Sequence, residues 1–333
     1  MKKQIDYNFI KVLPKIDLHC HLDGSLPVNF VYDTLQCDIP IQALEKKLSV
    51  PVNCNSLAEY LTCFDLPIKC LNNKENITNS VIKTLEACAQ DNIKYIELRF
   101  APGLSETPDL SLDDIIDASI KGCHEGKKLY NIDSNIIICA MRHHDEDTNL
   151  RVLHSALNFL NEGVCALDLA GNEAAFDNHL FINLFNTAKH SNMPFTIHSG
   201  ECGNVENIKL ALELGAKRIG HGIAMMKDVE LMKQCAKERI GIELCPTSNY
   251  QTKAISEDAD YPLNLFIKNG ILATINTDNR TVSNTTISNE FEFIYNKFGI
   301  REEDFITLTK NSIEISFAND NIKNYLYYEL KRI

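Results

Sequence analysis

Short apolar runs, each about the length of one strand, recur along the chain and alternate with longer segments of helical spacing. The runs are Lys15–His21, Lys94–Ala101, Asn135–Arg142, Val164–Ala170, Pro194–Ser199, Arg218–Ile223, Gly241–Cys245 and Ile271–Thr277. Nearly continuous in Ile, Val, Leu and Phe, they read as strands buried on both faces, the pattern of a parallel sheet covered by helices. Between them, Asn204–Leu214 sets Val205, Ile208, Ala211 and Leu212 on one face, the stripe of a helix packed on a core. Leu214-Gly215 and Asn269-Gly270 place a glycine where such a helix would stop before the next strand. Eight strand–helix units in 333 residues predict an α/β fold, a closed (β/α)8 TIM-type barrel forming one domain over residues 1–333. A doubly wound open sheet is the runner-up.

Two segments exceed what such a barrel needs. The first crossover, from Leu22 to Ile93, is much longer than the others and holds extra helices. Within it Leu57, Tyr60, Leu61 and Phe64 form one apolar stripe behind Ser56, a candidate N-cap. Such a stripe packs on a core or closes as a lid over a pocket. After the eighth strand, Asn284–Ile333 reads as further helices.

Composition narrows the classes of function. With 44% hydrophobic and 23% charged residues the chain is an ordinary globular protein with ample core. A formal net charge of −12 disfavours a nucleic-acid backbone as partner, because phosphate binding needs clustered Lys and Arg. Met1-Lys2-Lys3-Gln4-Ile5-Asp6 has no apolar run behind its lysines, so no secretory leader is expected, and no apolar segment reaches membrane-spanning length. The 12 cysteines are scattered through predicted strands and helices without a Cys-x-x-Cys pair. That distribution suits a reducing, cytoplasmic setting and makes a thiolate zinc site unexpected.

In a barrel of this type the active site lies at the C-terminal ends of the strands. On β-strand geometry His19 and His21 point the same way from the end of the first strand. The other ends carry Asp168 to Glu173, His198-Ser199-Gly200-Glu201, Gly220-His221-Gly222, Cys245 to Asn249, and Asn276-Thr277-Asp278-Asn279-Arg280. Imidazoles and a carboxylate without thiolate suit a borderline divalent metal such as zinc, which lowers the pKa of a bound water toward neutrality. Glu201, three residues beyond His198, is placed as a proton shuttle. His221 could be a ligand or could orient the water.

These motifs, from Pro14-Lys15-x-x-Leu18-His19-x-His21-Leu22-Asp23-Gly24 through Asp168-Leu169-Ala170-Gly171-x-Glu173 to Asn276-Thr277-Asp278, resemble in order and spacing the adenosine deaminase family of the amidohydrolase superfamily. The resemblance implies hydrolysis of the 6-amino group of adenosine and 2′-deoxyadenosine to give inosine or deoxyinosine and ammonia, in purine salvage. It implies one Zn2+ per chain, held by His19, His21, His198 and Asp278. It makes Glu201 the acid that protonates ring N1 and His221 the group that activates the attacking water. His21, Asp23, Gly171 and Asn279 match substrate contacts: Asp23 meets the 5′-hydroxyl and the Gly171 N–H meets N3. The stripe at Tyr60, Leu61 and Phe64 is similar to the family's hydrophobic gate.

One departure stands out. Where the family carries a second Asp and then Pro after the metal aspartate, this chain has Asn279 and Arg280. An amide donates to purine N7 without the raised pKa that a carboxyl needs for that task. Arg280 reads either as a salt-bridged surface residue or as a contact to a 5′-phosphate. The second possibility keeps a 6-substituted AMP in play beside adenine and modified nucleosides, whereas Asp23 at the 5′ position repels a phosphate. A catalytically dead purine-binding barrel would be expected to lack a ligand or the glutamate, and this chain has them all.

Overall fold

The computed structural model describes residues 7–51, 54 and 56–333; the leader reading made on Met1–Asp6 falls outside them. All eight strands form: β1 (Lys15–His21), β2 (Ile93–Phe100), β3 (Asp133–Met141), β4 (Val164–Ala170), β5 (Thr196–Ser199), β6 (Arg218–His221), β7 (Gly241–Leu244) and β8 (Leu272–Ile275). Every neighbouring pair is parallel, in two runs, β1 to β4 and β5 to β8. The runs are stitched at both seams. Leu167 N–H donates to Pro194 O at 2.9 Å, and His21 N–H and Asp278 N–H exchange bonds with Asp278 O and His19 O at 2.6 and 2.8 Å. At the second seam the Asn276 side chain replaces a backbone group, its Oδ1 accepting from Leu18 N–H at 2.9 Å. The sheet therefore closes as a (β/α)8 barrel, as the alternation of runs and helices predicted, and the open sheet is excluded.

The strands of the second half are only four residues long, and β6, β7 and β8 end before their apolar runs do. The backbone turns away at their ends: Gly200, His221, Gly222 and Asp278 have φ of 76, 62, 63 and 58°. In that left-handed region a side chain costs roughly 1–2 kcal/mol, so His221 and Asp278 sit in positions that tertiary contacts must enforce.

The long first crossover contains Val28–Leu35, Ile41–Leu48, Leu57–Leu61 and Asp65–Cys70 before Lys74–Gln90 leads into β2. Ser56 caps Leu57–Leu61, accepting from Glu59 N–H at 3.2 Å, and Thr62–Phe64 continues it as a tighter turn. The C-terminal helices are Ile287–Phe298, Glu302–Ile315 and Asp320–Leu330. Phe317 closes the bottom of the barrel, its ring 4.0 Å from the guanidinium carbon of Arg218 at the start of β6. A short helix over Tyr7–Val12, which no spacing indicated, precedes β1. Among the described residues no helix is long and apolar enough to cross a membrane, and all twelve cysteines are free thiols.

Glu290, on the helix after β8, is fully buried; it accepts from Thr247 N–H at 3.1 Å and from the Thr285 hydroxyl at 2.7 Å. Burial pushes its carboxyl up to about 7. An unfolded Glu titrates near ~4.3, so the folded chain binds the extra proton and stability falls as pH rises from about 4.3 to 7. Glu290→Gln, which mimics the protonated acid, is expected to flatten this part of the profile in thermal unfolding measured from pH 5 to 8.

Candidate active site

The histidines read from the strand ends come together at the top of the barrel. Five of the six pairs among the rings of His19, His21, His198 and His221 stand with centroids from 4.5 to 5.3 Å apart. One ligand atom from each of His19, His198, His221 and Asp278 lies within 4.8 Å of the others. His21 Nε2 is 3.2 Å from His198 Nε2 and 3.5 Å from Asp278 Oδ1. Five groups thus stand close enough together for a single cation to draw its ligands from among them.

The hydrogen bonds behind each ring sort them. His19 Nδ1 meets Glu243 Oε2 at 2.8 Å, and His198 Nδ1 meets the Asp168 carboxylate at 3.0 Å. A carboxylate only accepts, so both rings carry the proton on Nδ1 and aim an Nε2 lone pair inward. His19 Nε2 is buried without a hydrogen-bond partner, the state of an atom that needs a ligand. Burial holds His21 well below the ordinary imidazole range, hence neutral. Asp278 Oδ2 accepts from Ser248 at 2.6 Å and its Oδ1 faces His19 and His21. His221 differs. Its Nδ1 lies 2.9 Å from Asn249 Nδ2, whose Oδ1 accepts from the Tyr261 hydroxyl at 2.8 Å. The amide donates, so His221 accepts at Nδ1 and presents an N–H at Nε2, 3.7 Å from Glu201 Oε2. Three imidazole lone pairs and one carboxylate fit a divalent cation of the zinc type.

Beneath the rings is a buried ion network that no strand-end motif revealed. Glu243 contacts Arg99 at 2.9 Å and Arg218 at 2.6 Å, and Arg99 also reaches Asp168 at 2.9 Å. Burial alone would raise both acids; the charges of Arg99 and Arg218 hold Glu243 well below the carboxylate range, and His198 and Arg99 do the same for Asp168. A second anchor is Glu173, which accepts from Gly200 N–H at 2.7 Å, Cys202 N–H at 2.9 Å and Asn207 at 2.9 Å. These bonds fix the turn that carries Glu201, whose Oε1 accepts from Thr252 at 3.0 Å.

Above the cluster opens a cavity of about 330 Å3, bordered by His21, Asp23, Gly171, Glu201, Asp278 and Asn279. Its walls are apolar, and the stripe of Leu57, Tyr60, Leu61 and Phe64 forms one side. Asp23 is buried, its Oδ1 has no partner, and burial pushes its carboxyl up to about 7. Among the described lining residues there is no Lys or Arg. Arg280 corrects one expectation: it is neither at the pocket nor on the surface. Its side chain is buried, with Nη1 3.6 Å from Asp91.

The adenosine deaminase family profile matches residues 14–333. The chain belongs to the adenosine deaminase family. It is thereby an enzyme, a hydrolase. It is 42% identical over 331 residues to the adenosine deaminase of Clostridium botulinum (strain Okra / Type B1), covering 97% of this chain and 98% of that protein. Its fold matches that of an adenine deaminase from Arthrobacter aurescens with a TM-score of 0.88 at 23% identity, over 96% and 98% of the two chains. An Arabidopsis N6-mAMP deaminase superposes with a TM-score of 0.84 at 26% identity, over 98% of this chain and 100% of that one.

Strand-end reading found the His and Asp cluster, Glu201, Asp23 and Asn279. It missed Glu243, Arg99 and Arg218, whose only signal was charge inside otherwise apolar runs. Replacing Glu243 by Gln leaves two buried guanidinium groups undercompensated, which costs about 3–5 kcal/mol. Urea unfolding of Glu243→Gln is expected to show a loss of that size.

Proposed function

We propose that the chain deaminates adenosine and 2′-deoxyadenosine to inosine and deoxyinosine, releasing ammonia, as a cytoplasmic step of purine salvage by a single-domain enzyme. The observation that carries this reading is the pairing of Glu201 with the His221 N–H, 3.7 Å apart, beside the lone-pair cluster on the pocket floor. His19, His21, His198 and Asp278 would hold one zinc ion per chain. Such a cation supplies Lewis acidity and lowers the pKa of a water toward neutrality.

The remaining work belongs to the side chains. Glu201 delivers a proton to ring N1, which draws electron density from C6 and opens it to attack by water. His221, donating from Nε2, orients that water, and the Glu201 carboxylate left after protonation of N1 takes up the proton the water loses. Glu201 passes that proton to the amino group, which leaves as ammonia as the C6–N bond breaks, and it recovers a proton from the C6 hydroxyl as C6 becomes a carbonyl. The Gly171 N–H meets N3, an Asn279 N–H meets N7, and Asp23 meets the 5′-hydroxyl. The gate stripe excludes water from the base and sugar.

A small nucleoside is favoured over a nucleotide by the charge of the pocket. A phosphate is best met by Lys or Arg, the described lining has neither, and Asp23 and Asp65 border it instead. This separates the proposed substrate from the nucleotide in the name of the Arabidopsis neighbour. Adenine, lacking the sugar, would leave Asp23 without its partner.

Glu201→Gln should cut kcat by about 10²- to 10⁴-fold while metal content per chain, read by atomic emission, stays unchanged. Retained turnover would remove Glu201 from its assigned role. Chelation of the wild-type enzyme should abolish activity and zinc should restore it. In a spectrophotometric comparison, kcat/KM is expected to fall in the order adenosine, adenine, AMP. Faster turnover of AMP or N6-methyl-AMP would overturn the choice of substrate.

A further inference from the structure

The gate stripe contains one residue that is not simply apolar. Tyr60 is 2% exposed, and its hydroxyl oxygen lies 2.9 Å from Asn279 Nδ2 and 2.6 Å from Ser283 Oγ. Tyr60 belongs to the helix Leu57–Leu61 in the long first crossover, whereas Asn279 and Ser283 follow β8. The bond therefore ties the gate directly to the amide beside Asp278.

Its polarity follows from what surrounds Asn279. The amide oxygen is buried, has no hydrogen-bond partner, and packs on Gly24 so closely that a Cβ there would sit 1.8 Å from it. Against the Gly24 Cα an oxygen is tolerated and an N–H would be wasted. The amide nitrogen thus faces Tyr60 and donates one hydrogen to the phenol oxygen. The phenol oxygen also meets Ser283 Oγ, and either hydroxyl can donate in that contact. A second N–H of Asn279 remains, and Asn279 borders the pocket. Without the Tyr60 oxygen the amide would lose the contact that fixes its rotation, and two buried donors would be left to compete for the substrate.

We propose that Tyr60 is a positioning residue for base recognition: its hydroxyl holds Asn279 with one N–H aimed into the pocket and makes that aim depend on a docked gate helix. The inference rests on the reading of Asn279 as the donor to purine N7. It assigns the gate a role in specificity as well as in excluding water. An ionised Asp at position 279 would only accept, reversing the chain so that the phenol donates to it. Asn279 and Tyr60 therefore act as a matched pair.

The test uses the metal-loaded full-length enzyme and two product-state ligands that differ only at the acceptor, inosine and 7-deazainosine, each as a competitive inhibitor of adenosine turnover. In the wild type the Ki for 7-deazainosine should exceed that for inosine by about tenfold, the worth of one buried hydrogen bond with an unpaired donor left behind. In Tyr60→Phe, which keeps the ring, this ratio should collapse toward one, with metal content and melting temperature close to wild type. Ser283→Ala, which removes only the far partner of the phenol, should lower the ratio part of the way. If the wild type binds both ligands alike, Asn279 does not read N7 and the inference falls with that reading. A discriminating wild type matched by an equally discriminating Tyr60→Phe overturns the inference alone. A loss of affinity for both ligands in equal measure also overturns it, since that is what a merely structural Tyr60 would do.

Discussion

A carboxylate with no access to water organises this barrel. Glu243 sits between Arg99 and Arg218 and at the same time accepts from the Nδ1 of His19. Burying a charge is costly unless every lone pair finds a donor, and here each does, with Thr196 adding a bond at 3.0 Å. Because the arginines hold it ionised, Glu243 fixes which nitrogen of His19 carries the proton. Arg99 extends the same control to His198 through Asp168. The interior of the barrel thus sets the tautomers at its rim, and the chemistry above depends on charges several layers below.

The rim adds a second constraint. His221 and Asp278 take left-handed backbone conformations as their strands end. Neither would adopt them alone. Asp278 is held by the backbone bonds that close β8 on β1, and its carboxylate by Ser248. His221 is held through Asn249 and Tyr261. The strain is offset by barrel closure, and its return is a set of side chains aimed at one point.

Over that point lies an apolar pocket with acids but no Lys or Arg in its described walls, closed on one side by the gate stripe. The polarity suits a neutral heteroaromatic base with a hydroxylated sugar. Family membership and this polarity agree, while Asn279, Tyr60 and Arg280 give the chain its own variation. Arg280 turns its side chain beneath the loop toward Asp91, while its backbone N–H donates to Ser25 Oγ at 3.0 Å and so ties down the segment that presents Asn279.

The apolar runs, their spacing and the polar residues at their ends were enough to determine an eight-stranded barrel and which polar residues gather at its rim. The reason is local: buried parallel strands must be apolar, and a catalytic rim must interrupt them with ligands and acids. The apolar stripe that lines the pocket and the Ser56 cap were legible for the same reason. Three matters were decided only by tertiary structure. Charges inside strands, such as Arg99, Glu97 and Glu243, look like defects in a run until their partners arrive from strands far apart in sequence. The division of five candidate ligands into four lone pairs and one N–H depends on which group stands behind each ring. Arg280 read as a surface or phosphate-binding residue, but the turn at Asp278 sends its side chain under the barrel wall, away from the pocket. Sequence records which groups are available; the closing of the barrel decides which way each one points.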